Sequence, residues 1–153
     1  MANYFEQMRK IWDAYEAAGN PTPASTHEVA EWAVRNGSWQ PRPADIIGQC
    51  AADLAHALRQ EYFIDTKGRK VRAMHAACVK RQGEQLMLWA DIRSAPRQHM
   101  DLAFKQRRQQ VVSDCRQLKI DVDSYNDNHP DEKPIQMIFD FTRDLQELEQ
   151  DVA

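Results

Sequence analysis

The chain has 153 residues, of which 42% are hydrophobic and 28% charged, with a formal charge of −3. That length suits one compact domain, or a small domain with a helical extension, and the composition excludes a disordered or low-complexity polymer. No run approaches the roughly 18 apolar residues of a membrane span, and the start, MANYFEQMRK, has no apolar signal core, so a cytoplasmic protein without membrane contact is expected.

Residues 3–18 are predicted as an amphipathic helix, because Phe5, Met8, Trp12 and Tyr15 recur three or four apart on one stripe. Gly19-Asn20-Pro21 stops it. Ser25-Thr26-His27-Glu28 then has the capping-box pattern and opens a second helix to about Arg35, with Val29, Ala30, Ala33 and Val34 on its packed side. Asn36-Gly37 ends that helix, and Pro43 is placed as the first residue of a third. In the third helix Ile47, Cys50, Ala51, Leu54 and Leu58 form an apolar stripe, with Asp45, Gln49, Asp53, His56 and Arg59 on the other face. Tyr62-Phe63-Ile64 is a short β-prone run, followed by a turn at Thr66–Arg69. Val71–Lys80 and Gln85–Ile92 alternate with period two on either side of Arg81-Gln82-Gly83-Glu84, the signature of a β-hairpin.

Ser94 is predicted to cap a long helix that has Pro96 in its first turn and runs to about Tyr125. Phe104, Val111, Leu118 and Tyr125 fall seven apart, and Arg108, Cys115 and Val122 each follow four residues later, giving about three heptads of a coiled-coil seam. Asn126–Pro134 is a polar breaker, Ile135–Phe141 is apolar, and a last amphipathic helix carries Leu145 and Leu148. The fold class expected is mainly α with a small β-hairpin. Cys50, Cys78 and Cys115 are widely spaced with apolar neighbours, and are expected as buried reduced thiols. The tryptophans Trp12, Trp32, Trp39 and Trp89 are expected as core and staple residues, with Trp39, in the turn before the third helix, the one candidate exception.

Charge is unevenly distributed. Residues 1–93 hold 12 Lys and Arg against 11 Asp and Glu, whereas residues 94–153 hold 8 against 12. Between Arg59 and Arg81 seven basic residues face only Glu61 and Asp65, and Arg93, Arg97, Lys105, Arg107 and Arg108 form a second basic group. A local basic surface is therefore compatible with the net negative charge.

Three helices followed by a hairpin, with the pieces PADIIGQCAADLAHALRQ and KVRAMHAACVKRQGEQLMLWADI, resemble the winged helix-turn-helix family of DNA-binding domains over residues 3–92. The resemblance implies a winged helix-turn-helix domain at 1–93 and a helical extension at 94–153. It implies a third helix in the major groove, with Gln49, Asp53, His56 and Arg42 facing the groove and Arg59 as the basic DNA-binding residue within that helix, and a wing tip formed by Lys80, Arg81 and Gln82. Lys67, Arg69, Lys70 and Arg72 would lie near phosphates, where cations displace condensed counterions. The expected function is double-stranded DNA binding by a transcriptional regulator. A homodimer is expected through Phe104, Val111, Cys115, Leu118, Val122 and Tyr125.

The alternative is a protein-interaction module that docks a partner through the C-terminal helices and does not bind DNA. No phosphate loop, dinucleotide-binding fingerprint or nucleophile elbow is present, so no enzyme is expected. His75 and Cys78 lie three apart on a strand and point to opposite faces, so neither a metal nor a cofactor is expected.

Overall fold

The structure is a computed structural model that describes residues 3–42 and 45–151. The described residues are mainly helical, with five helices and two small antiparallel strand pairs. In chain order these are α1 (Tyr4–Ala17), α2 (Thr26–Arg35), α3 (Ile46–Arg59), β1 (Tyr62–Ile64), β2 (Lys70–Arg72), β3 (Met74–Arg81), β4 (Glu84–Asp91), α4 (Arg97–Asp127) and α5 (Thr142–Asp151). Its contacts divide the chain into two compact units, Met1–His56 and Ala57–Ala153. No helix among the described residues is long and apolar enough to cross a membrane.

In the first unit the starts of α1 and α2 are fixed by side chains that satisfy otherwise orphaned amides. The Ser25 hydroxyl accepts the Glu28 N–H at 3.1 Å while the Glu28 carboxylate accepts the Ser25 N–H at 2.7 Å, as expected. Asn3 and Glu6 form the same box on α1. α1 packs on α2 around Ile11, Tyr15, Val29 and Ala33, and Trp12, Trp32 and Trp39 close over this core. Tyr15 and Trp32 meet edge to face at 5.6 Å, the geometry that the ring quadrupoles favour.

Three packing expectations for this unit are corrected. Phe5 is 83% exposed, because the buried stripe is centred on Ile11, three residues after Met8 and four before Tyr15. Val34 and Ala30 are also exposed, since α2 turns only Val29 and Ala33 inward. The apolar stripe of α3 is not core: Ile47 is 84% and Leu54 57% exposed, and no residue of the helix is buried. The two-helix core closes on Trp39 from the loop, whose N–H donates to the Ala33 carbonyl at 3.3 Å. Pro43 lies outside the described residues.

In the second unit β1 pairs with β2, and β3 with β4. The β3–β4 loop is the two residues Gln82 and Gly83, with φ of 51° and 80°, the backbone that a two-residue hairpin of native twist requires. The single strand expected over Val71–Lys80 is instead two strands separated at Ala73. The Ala73 N–H donates to the Glu61 carbonyl at 3.0 Å, and its carbonyl accepts from the Ile92 N–H at 2.8 Å, so one residue serves two ladders.

The expected alternation holds, in that Ala73, His75 and Ala77 are the buried set. α4 packs on β3 through Met100 and Ala103, and the alanines on both sides permit a close approach. The Gln106 side-chain amide fixes the contact, accepting the Cys78 N–H at 2.7 Å and donating to the Cys78 carbonyl at 2.8 Å.

Ser94 does not cap α4. Its N–H is turned back to the Asp91 carbonyl, and Pro96 is the N-cap without a side-chain bond. α4 also carries Phe104, whose ring meets His75 of β3 edge to face at 5.3 Å, and beyond it Val111, Leu118 and Tyr125, each of the four 44–50% exposed, and it half-buries Cys115 and Val122. The Asn126 side chain holds both the N–H and the carbonyl of Ile135, and residues 135–139 run beside Lys119, Val122 and Asp123. No residue of α5 is buried. The cysteines are free as expected but not buried, since Cys50 is exposed and Cys78 and Cys115 are only half-covered.

Candidate nucleic-acid interface

The register of the small ladder builds the first half of this surface. Tyr62 on β1 is paired with Arg72 on β2, and Lys70, two residues earlier, shares that strand face. The Arg72 Nε donates to the Tyr62 hydroxyl at 3.4 Å, and the Lys70 ammonium stands 4.6 Å from the centre of the tyrosine ring. Arg72 and the other nearby cations favour the phenolate, so the Tyr62 hydroxyl ionises below its ordinary range.

The second half comes from the hairpin and α4. Trp89 on β4 lies opposite Ala76, and the Arg59 guanidinium sits over its indole at 5.5 Å. Arg107 follows the anchored Gln106 and is four residues beyond the buried Ala103, so the packing of α4 sets its position. Arg59, Arg72, Trp89, Gln106, Arg107 and Gln110 are among the residues lining an open groove of about 670 Å³. Among the described residues, no aspartate or glutamate lines it.

Charge balance distinguishes this groove from its surroundings. Arg69 is paired with Asp65 at 2.8 Å, and Arg93 with Asp91 at 2.7 Å; the latter pair holds the Asp91 carboxyl down to about 2. Among the described residues, Arg59, Arg72 and Arg107 have no carboxylate at ion-pair distance. Partial burial and the neighbouring Arg72 charge pull the Arg107 guanidinium below its usual value. Such a concentration of unpaired cation favours an anion, and phosphate geometry suits the guanidinium fork.

The sequence-predicted residues fall into separate groups. Arg59, Lys70 and Arg72 are brought together in the second unit. Lys67 and Arg69 share the β1–β2 turn, whose backbone is held by the Asp65 carboxylate, and Arg69 is already neutralised there. Lys80, Arg81 and Gln82 are exposed at the hairpin tip. In the first unit Arg42 donates to Gln7 and lies 5.1 Å from the Tyr4 ring centre. It lines a different groove, of about 540 Å³, with Gln49, Asp45 and Trp39. His56 is exposed on α3.

Sequence reasoning assigned no site role to Tyr62 and Trp89, and treated Arg107 only as one of a basic group. The i, i+4 step from Ala103 to Arg107 is the one local signal that would have placed the arginine. Comparison of the chain with protein-family models, curated proteins and solved structures gave no match.

Proposed function

We propose that this chain is a double-stranded DNA-binding protein acting as a transcriptional regulator, with the groove of Arg59, Arg72 and Arg107 as its main phosphate-binding surface. The observation that carries the reading is three arginines without carboxylate partners around a groove that no acidic residue lines. The order of three helices and a hairpin supports a winged helix-turn-helix arrangement, with the exposed Lys80 and Arg81 as additional backbone contacts. Of the two surfaces, the groove carries more of the affinity, because α3 presents Asp53 and bare aliphatic side chains beside Gln49 and His56, with Asp45 just before it.

The test is fluorescence anisotropy with random duplex DNA at low and moderate salt. Affinity falls steeply with salt when several phosphates are contacted, and Arg72→Ala or Arg107→Ala weakens binding to every sequence, each lowering the salt slope by about one. Gln49→Ala and His56→Ala instead change which sequence is preferred. Absence of binding at low salt sinks the proposal.

One observation favours a second reading, a protein-docking module. Ile46, Ile47 and Leu54 are exposed on one helix, an apolar surface of the kind that a partner covers. Docking there is insensitive to salt and to Arg72→Ala.

A further inference from the structure

α4 is a 31-residue helix, about 46 Å long at 1.5 Å per residue, and its buried residues, Met100 and Ala103, both lie in its first two turns. The rest carries the strip Phe104, Val111, Leu118 and Tyr125, half-exposed along its length. One flank of its second half is already occupied by the chain's own residues 135–139, beside Lys119, Val122 and Asp123. At its ends Phe104 meets His75 edge to face at 5.3 Å and Tyr125 stacks on His129 at 4.1 Å, while Val111 and Leu118 in the middle stay 50% and 44% exposed.

The charges along this helix are segregated. Residues 97–111 hold Arg97, Lys105, Arg107 and Arg108 against Asp101, a net +3. Residues 112–127 hold Arg116 and Lys119 against Asp114, Asp121, Asp123 and Asp127, a net −2. Two such helices side by side in the same direction set like charge against like. Reversed in direction, each basic half meets the other's acidic half, and the contact repeats itself under a two-fold axis.

We infer that a second copy of this chain packs on the strip with its α4 antiparallel, the two-fold axis passing near the middle of the helix close to Cys115. This direction also accounts for Arg108 on an otherwise apolar seam. A cation there lies within reach of the acidic turn around Asp121 and Asp123 of the other copy, whereas a parallel seam sets two Arg108 guanidinium groups against each other.

The experiment is sedimentation equilibrium of the full chain over a wide concentration range, with circular dichroism confirming that each variant is folded. The wild type sediments as a dimer. Lys105→Glu with Arg108→Glu weakens association about tenfold or more, and so does Asp121→Lys with Asp123→Lys. The chain carrying all four changes recovers to within about threefold of wild type, since the reversed halves match again. Leu118→Asp abolishes the dimer. A wild type that stays monomeric overturns the inference, as does a dimer that is indifferent to the charge reversals or that the fourfold variant fails to restore.

Discussion

Residues 1–56 are held by large side chains, with Tyr15, Ile11 and Val29 buried between two helices and tryptophans packed around them. Residues 57–153 join helix to sheet through Ala73, Ala77 and Ala103, with His75 and Met100 as the only larger buried groups among the described residues. The first core gains stability from apolar area and fails when a side chain is removed. The second gains proximity and fails when one is enlarged. Close approach in the second unit is what brings Arg107 on the helix beside Arg72 on the strand, so the small core and the cationic groove have one cause.

The largest effect expected is from Tyr15→Ala, which leaves a void and costs about 3–5 kcal/mol, read as a loss of thermal stability with faster amide exchange in α1 and α2. Ala77→Leu tests the opposite weakness. It forces α4 off β3 at a cost of about 1–3 kcal/mol, and weakens the DNA binding proposed for the groove without touching a groove cation. An Ala77→Leu protein of undiminished stability breaks the comparison.

The helix starts sharpen it further. Ser25→Ala removes the cap of α2 and costs about 1 kcal/mol by denaturant titration, whereas Ser94→Ala, next to a helix with no side-chain cap, costs under about 0.5 kcal/mol. The smallest effect is electrostatic. Arg93→Ala returns the Asp91 carboxyl from about 2 towards the ordinary aspartate range, measured by carboxyl-carbon NMR titration. Because the folded value is the depressed one, the pair's contribution is full above the ordinary aspartate range, about 3.9, and is lost as pH falls towards about 2.

What the sequence disclosed follows the same division. Local chemistry was legible: Ser25 and Glu28 marked a helix start, and Gly83 with period-two flanks marked the hairpin. The seam on α4 was legible as a stripe. Relations set by distant partners were not. The break at Ala73 arises because Glu61 and Ile92 claim its two backbone groups, and period two does not report who the partner is. Likewise the stripe on α3 showed that one face is apolar, not that Trp39 would close the core without it. Of the groove and the ladder beside it, Arg59, Lys70 and Arg72 were legible as charge, while Trp89 in the groove and Tyr62 on the ladder acquire their role only from the cations above their rings.

The Gln106 amide bears on solubility as well as on packing. By taking both the N–H and the carbonyl of Cys78, it acts as a one-residue surrogate strand and caps that rim of the hairpin. A β-rich segment from another molecule meets a satisfied backbone at Cys78, so the ladder it would add is interrupted in mid-strand.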